Sequence, residues 1–167
     1  MTNISIIVAI AENYAIGKNN QLLWHISDDL KRFKALTTGH SVVMGKKTYE
    51  SLPKRPLPNR TNIILTDIPG EKMDGCVMAY SIEDAVSKCS PGSECFVIGG
   101  GSVYKQFLAI ANKLYITWVH KNFAADVFFP KFDLSLWHEI ERHDISASPG
   151  SDFSYSYVIY ERKHKHE

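Results

Sequence analysis

Cysteine is scarce in this chain, neither sign of charge dominates, and no apolar run is long enough to cross a bilayer. The three cysteines, Cys76, Cys89 and Cys95, leave one unpaired in any scheme and show no metal-ligand spacing. Small buried or neutral thiols in a reducing compartment are therefore expected, and no metal site is read. A formal net charge of +1 over 167 residues argues against a nucleic-acid or membrane partner found by bulk electrostatics, although local basic clusters exist. The N-terminal apolar run, Ile4 to Ile10, has no basic leader, so neither a signal peptide nor a membrane span is expected. There is no internal repeat. Only the terminal Lys163-His164-Lys165-His166 is compositionally biased, and it reads as a polar tail (163–167) after a domain spanning 1–162. The length suits one domain with a substantial core, and a cytoplasmic soluble enzyme or binding domain is the class that remains.

Apolar runs of strand length recur at Ile4 to Ile10, Ser41 to Met44, Asn62 to Leu65, Cys76 to Ala79, Cys95 to Ile98 and Leu114 to Val119. Most are rich in Ile and Val, as fully buried strands are. Helix-like segments lie between them: Asp28 to Leu36, Lys46 to Leu52, Ile82 to Lys88 behind a Ser81 cap, and Val103 to Ala111. The alternation predicts an α/β domain, with a central, mostly parallel sheet of about eight strands flanked by four helices. After Pro130 the pattern changes. Trp137 to Ile145 and Phe153 to Glu161, joined through Ser148-Pro149-Gly150, predict a C-terminal antiparallel hairpin at one edge of the sheet.

The stretch from Ala9 to Phe33 carries the first chemical signal. On a helix starting near a Ser27 cap, Leu30, Phe33 and Leu36 form an apolar stripe, and Asp29 lies on its edge. Asp28 points away, toward Lys31 and Arg32. Two readings of Asp29 stand side by side. Acids in a first turn complement the helix dipole, which covers Asp28 fully. A carboxylate flanked by Trp24, Leu30 and Phe33, however, loses hydration and is kept only if something polar meets it.

Two strand-to-helix turns look suited to anions. Gly99-Gly100-Gly101 follows the strand ending at Ile98, where bare backbone and free amide hydrogens suit a phosphate; a simple tight turn is the alternative. The spacing lacks the third glycine and the distal acid of the dinucleotide fingerprint. In Met44-Gly45-Lys46-Lys47-Thr48, two lysines oppose the helix dipole, which argues mildly for an anion held between them. Both turns fall at the carboxyl ends of parallel strands, the edge where such sheets bind ligands. Pro53, Pro56 and Pro58, interleaved with Lys54, Arg55 and Arg60, make a stiff basic connection. Taken alone, Arg60 reads as a solvated loop arginine, with recognition of a carboxylate as the other possibility.

Taken together, these residues resemble the bacterial chromosomal type of dihydrofolate reductase. The resemblance rests on Ala15-Ile16-Gly17, Leu22-Leu23-Trp24, Asp29-Leu30 with Phe33-Lys34, Val43-Met44-Gly45, Lys47-Thr48 with Glu50-Ser51, Arg55-Pro56-Leu57-Pro58 with Arg60, Ile98-Gly99-Gly100-Gly101 with Val103-Tyr104, Leu114-Tyr115-Ile116-Thr117 and Phe129-Pro130. It covers nearly the whole chain. It implies reduction of dihydrofolate to tetrahydrofolate by hydride from NADPH, in support of one-carbon metabolism and nucleotide synthesis, by a monomer that antifolate inhibitors would also bind. Asp29, Leu22, Trp24 and Thr117 are the implied catalytic residues. Asp29 would hold the pterin, Thr117 would orient that carboxylate, Trp24 would orient a nearby water, and the proton would come from water. The implied substrate contacts are Ile7, Val8, Asp29, Leu30, Phe33, Leu52, Leu57, Arg60, Ile98 and Thr117, with Arg60 now on the substrate's glutamate carboxylate. NADPH would be held by Ala9, Ile16, Gly17, Gly45, Lys46, Lys47, Thr48, Leu65, Thr66, Asp67, Ile98, Gly99, Gly100, Gly101, Ser102, Val103 and Tyr104. The segment from Ala11 to His25 would form a mobile lid, and the Gly99–Gly100 bond would be cis.

Three positions depart from the pattern of that family. Leu23 stands where proline is usual, which loosens the lid. Asp67 places a carboxylate beside the expected 2'-phosphate, and Ser102 removes a possible arginine contact, so preference for NADPH falls on Lys46 and Lys47. Two other readings compete: a pyrimidine reductase of riboflavin synthesis, disfavoured by the spacing from Trp24 to Phe33, and an idle NADP-binding module, disfavoured because the acid and the glycine turn are both present.

Overall fold

The computed structural model describes residues 3–18, 23–24, 26–147 and 153–163. Strand β1, Asn3–Ala11, lies at the centre because almost every residue from Ile4 onward is buried, leaving it no solvated face. Parallel partners flank it: β6 (Glu94–Gly99) on one side and β7 (Lys113–Val119) on the other. Beyond β6 come β3 (Ser41–Gly45), β4 (Thr61–Leu65) and β5 (Cys76–Ala79), all parallel. Beyond β7, β10 (Tyr155–Arg162) runs antiparallel and pairs with the antiparallel edge strand β9 (Trp137–Ile145), with a bulge between Ile159 and Tyr160. The eight-stranded order is therefore β5-β4-β3-β6-β1-β7-β10-β9. Both hairpin strands match the prediction, while the Ser148-Pro149-Gly150 connection lies outside the described residues, as does the tail from His164 onward.

Four helices cover the sheet: α1 (Ser27–Thr37), α2 (Lys46–Ser51), α3 (Ile82–Lys88) and α4 (Gly101–Leu108). Phe33 and Leu36 of α1, with Tyr49 of α2, pack over Ile7, Val42, Met44, Ile64, Phe96 and Tyr115. Ala85 of α3 and Val103, Tyr104 and Phe107 of α4 pack on the opposite face, over Ile6, Val8, Val43, Ile63, Val97 and Ile116. Alternate residues of each strand thus feed two different cores, as the period-two geometry of a strand requires. The expected Ser81 cap is present, its Oγ accepting from the amide of Asp84 at 3.0 Å.

Three features depart from the sequence expectations. Cys89 and Cys95 are joined in a disulfide rather than standing as thiols, because the end of α3 and the start of β6 bring their Cα atoms to 6.0 Å; Cys76 is free. A second, two-stranded ribbon pairs β2 (Ala15–Gly17) with β8 (Val127–Phe128), fixing part of the expected lid to a distant loop. The N-cap of α1 is Ile26, not Ser27, and makes no side-chain cap bond. Ile26 is buried with Trp24, Val119 and Tyr155, so an apolar anchor sets the start of the helix and leaves Ser27 exposed within its first turn.

Candidate active site

Asp29 reaches across from α1 to the carboxyl end of the sheet. Its Oδ1 accepts a 2.6 Å hydrogen bond from Oγ1 of Thr117, a buried β7 residue that pairs with Ala9 of β1. Burial raises the Asp29 carboxyl above its ordinary value, while the Thr117 hydroxyl and the positive Arg32 pull it back down. The acid is therefore desolvated but not abandoned: it keeps one firm donor and retains lone pairs for another partner.

Arg32 and Tyr157 were not singled out from the sequence. The Arg32 guanidinium lies 4.3 Å from the centroid of the Tyr157 ring, and Tyr157 pairs with Thr117 between β10 and β7. Burial and the nearby Asp29 charge push the Tyr157 hydroxyl upward. The sequence held half of this signal, since Arg32 follows Asp28 by four residues and Asp29 by three and so lies within reach of either acid. The Tyr157 contact required the strand order.

An apolar wall continues from the acid. Ile7 packs with the partly buried Phe33, Leu52, Leu57 and Ile98, so five predicted residues share one cluster. Leu30 does not join the helix stripe: it remains 42% exposed. Val8 is likewise not in this cluster. Its side chain enters the opposite core, because neighbours along a strand alternate faces, and the Val8 backbone is all that this edge presents.

Farther along, Arg60 is already engaged: Nε donates to the Pro58 carbonyl at 2.9 Å and Nη1 to Thr37 Oγ1 at 3.0 Å. Burial lowers its pKa from the usual arginine value. Asn62 holds the loop that carries it, with its side chain donating to the carbonyls of Leu57 at 2.9 Å and Arg60 at 3.2 Å and accepting from the Leu57 amide at 3.0 Å. The signal for Asn62 was in the sequence, as a polar residue inside an apolar strand run.

The glycine turn sits beside this wall. The Gly99–Gly100 bond is cis, and Gly99 has φ +137°. A Cβ on Gly99 would meet Thr48 Oγ1 at 3.3 Å and the Tyr104 hydroxyl at 3.5 Å; one on Gly100 would also meet Thr48 Oγ1 at 3.3 Å. Gly101 packs as tightly, with Val127 Cγ1 3.0 Å from a Cβ position, and Gly45 faces Val103 Cγ2 at 3.3 Å. Two strand-to-helix turns therefore pack closely, the Thr48 side chain against Gly99 and Gly100 and the Val103 side chain against Gly45. The buried Tyr104 hydroxyl donates to the Ile7 carbonyl at 3.1 Å and is pushed well above the usual phenol range by burial and by the Asp29 charge. This places the turn, β1 and the acid around one edge.

Of the other predicted residues, Ala9 is half-buried near the end of β1, Ile16 and Gly17 lie in β2, Trp24 is buried against Phe123, and Ser102 is exposed on α4. Leu65 ends β4, and Thr66 and Asp67 follow it, with Lys46 and Lys47 on α2. Leu22 lies outside the described residues. Glu71, which the sequence reading passed over, binds both Lys46 Nζ at 2.7 Å and Thr66 Oγ1 at 2.6 Å.

A doubly covered α/β sheet with a desolvated acid, an apolar wall and a bare glycine turn at its carboxyl edge defines a ligand-binding protein of the carboxyl-edge class. The family model described as dihydrofolate reductase matches residues 3–162. Dihydrofolate reductase of Bacillus subtilis (strain 168) is 42% identical over 160 residues, covering 96% of this chain and 95% of the relative. That of Neisseria meningitidis serogroup A is 40% identical over 162 residues, covering 97% and 99%. Among solved structures, dihydrofolate reductase from Enterococcus faecalis complexed with NADP(H) and RAB-propyl superposes with a TM-score of 0.89 at 32% identity, covering 97% of each chain. The chain belongs to the dihydrofolate reductase family.

Proposed function

We propose that this protein reduces 7,8-dihydrofolate to 5,6,7,8-tetrahydrofolate with NADPH, holding the pterin against Asp29 and the cofactor across the glycine turn. The observation that carries this reading is the half-buried Asp29 carboxylate fixed by Thr117 beside an uncovered Leu30 and an apolar wall. Such a surface fits a flat heterocycle with an amino group and a ring N–H on one edge. Oδ1 keeps the Thr117 hydrogen bond, and the remaining lone pairs of the carboxylate take the two pterin donors.

When bound, NADPH supplies the hydride. The residues fit the group: a Cβ on Gly45 or on Gly99 to Gly101 would crowd its neighbours at 3.0–3.3 Å, and the side-chain-free backbone that these glycines leave at the two helix starts would offer amides to a phosphate. Ala9, Ile16, Gly17 and Tyr104 would flank the nicotinamide. Ser102, Val103 and Thr48 would stand at the pyrophosphate, and Lys46, Lys47, Leu65, Thr66 and Asp67 would surround the adenosine end. The chain's part in the chemistry is electrostatic. A negative charge held in dry surroundings favours protonation of the pterin N5 by water, and the protonated imine accepts hydride at C6 more readily. Phe33, Leu52, Leu57 and Ile98 would line the path of the benzoyl group. Arg60 would meet the glutamate carboxylate while Thr37 and Pro58 hold its fork in place. Trp24, together with Leu22, which lies outside the described residues, would belong to a lid that excludes bulk water from the reacting atoms. The working unit in this reading is a cytoplasmic monomer, and amino-heterocycle inhibitors compete at Asp29.

The direct test is the loss of nicotinamide absorbance on mixing the protein with NADPH and dihydrofolate. Oxidation should require dihydrofolate and run faster with NADPH than with NADH. Cofactor binding with no oxidation in either case would refute the reaction while leaving the fold untouched. Two variants divide the site further. Arg60→Leu should raise KM for dihydrofolate by about tenfold with little effect on NADPH binding, as expected for a lost charged hydrogen bond. Asp67→Ser should improve NADPH relative to NADH, and an unchanged ratio would place Asp67 away from the phosphate.

A further inference from the structure

The loop after β4 carries a carboxylate that the expected cofactor contacts leave unexplained. Glu71 is drawn back over the loop by its own amide, which donates to the Ile68 carbonyl at 3.2 Å. Its two carboxylate oxygens are then divided: Oε2 takes Lys46 Nζ at 2.7 Å, and Oε1 takes Thr66 Oγ1 at 2.6 Å. Thr66 is held in turn by the Ile68 amide, which donates to its Oγ1 at 3.1 Å. The Glu71 side chain is only 16% exposed, and that of Lys46 is 40% exposed.

We propose that Glu71 sets how strongly this protein prefers the phosphorylated nicotinamide cofactor, because its carboxylate occupies the Lys46 ammonium and Thr66 hydroxyl that the adenosine 2'-phosphate must take. The inference rests on the assignment above of Lys46 and Thr66 to the adenosine end of NADPH. A carboxylate and a phosphate monoester are both oxyanions, and the one Thr66 hydroxyl proton can go to only one of them. The Lys46 ammonium keeps further N–H donors, but its charge is already offset by the Glu71 carboxylate, which would also repel the phosphate. NADPH must therefore displace Glu71 or accept its repulsion. NADH carries no phosphate at this position and meets neither penalty.

The local charge balance sharpens the competition. Lys46 feels Glu50 and Asp67 as well as Glu71, and the Glu71 hydrogen bond is the main cause of its raised pKa. Glu71 is lowered by the same contacts, Lys46 first and Thr66 second. An arriving phosphate thus meets a lysine already satisfied by carboxylates. Discrimination between the two cofactors should accordingly be weaker than a pair of lysines alone would give.

The test is calorimetric titration of the folded protein with NADPH and with NADH, using the parent, Glu71→Gln and Lys46→Ala. Glutamine keeps the size of the side chain and can still accept from Thr66, so only the charge is lost. Glu71→Gln should tighten NADPH by roughly three- to tenfold at low salt while changing NADH less than about twofold, and the gain should shrink at high salt. Lys46→Ala should weaken NADPH selectively. If Lys46→Ala does so but Glu71→Gln leaves NADPH unchanged or weaker, Glu71 is not a competitor and the inference falls while the cofactor assignment stands. If Lys46→Ala leaves both cofactors unchanged, the phosphate binds elsewhere and assignment and inference fall together.

Discussion

Replacing Asp29 with asparagine is expected to lower turnover at neutral pH by about a hundred- to thousandfold, the range seen when one preorganised electrostatic group is removed from a dry site. Asparagine preserves shape and can still accept from Thr117, but it offers the pterin no negative charge. NADPH affinity should be nearly unchanged, because Asp29 lies on α1 and the glycine turn leads into α4. The same variant should be more stable than the parent at neutral pH. Burial raises the folded-state pKa of Asp29 above its ordinary value of 3.8, so the folded protein binds that proton more readily than the unfolded chain. The stability contribution of Asp29 is therefore intact below the ordinary value and is lost as pH rises through the raised one. Above that window the parent bears the desolvation penalty of a buried charge. Asparagine never bears it, and the melting difference should vanish below about pH 4. Activity and thermal melting measured together decide the matter: equal loss of turnover and NADPH binding, or a variant less stable at neutral pH, would remove Asp29 from the role assigned to it.

Gly99→Ala is expected to be the most damaging single-methyl change. At φ +137° a side chain is strained whatever the space around it, and the added Cβ would sit 3.3 Å from Thr48 Oγ1 and 3.5 Å from the Tyr104 hydroxyl. Neither neighbour yields freely, since Thr48 lies in α2 and Tyr104 is tied to the Ile7 carbonyl. Strain of this kind costs about 1–3 kcal/mol, or a melting decrease of several degrees in a domain of this size. NADPH affinity should fall by about tenfold or more if the proposed cofactor site is right, because relieving the contacts with Thr48 and Tyr104 would shift the turn proposed to hold the pyrophosphate. Gly39→Ala provides the comparison. Its φ of +86° is also unfavourable, but no atom lies within 4 Å of its Cβ position, so it should lose stability without losing cofactor affinity. Equal affinity loss in both variants would show that general destabilisation, not the turn, controls binding.

The contrast between Asp29 and Glu71 shows how far the residues could be read without the fold. Asp29 stood out because a charge on the edge of an apolar helix stripe is locally anomalous within about two turns of chain. Glu71 follows Pro69 and Gly70 in a polar loop where a glutamate breaks no local rule, and its meaning appears only when α2 sets Lys46 beside it. The cysteines repeat the point: their spacing carried no signal, and the pairing of Cys89 with Cys95 follows from where α3 ends and β6 begins. The β2–β8 ribbon was illegible for another reason. Strands of three and two residues are too short to display a period, and their partners lie more than a hundred positions apart.

The sequence by itself determined the order and kind of the main elements, the antiparallel ending, the Ser81 cap, the glycine turn and the presence of one misplaced acid. Each of these is a matter of near neighbours, where periodicity, caps and backbone freedom act. Only the tertiary structure decided the strand order, the side of the sheet that each residue serves, and the partners of each charge. Asp29 and Thr117 are 88 residues apart, yet their 2.6 Å hydrogen bond defines the site. Desolvation and charge pairing depend on what is close in space, and the folded sheet alone sets that distance.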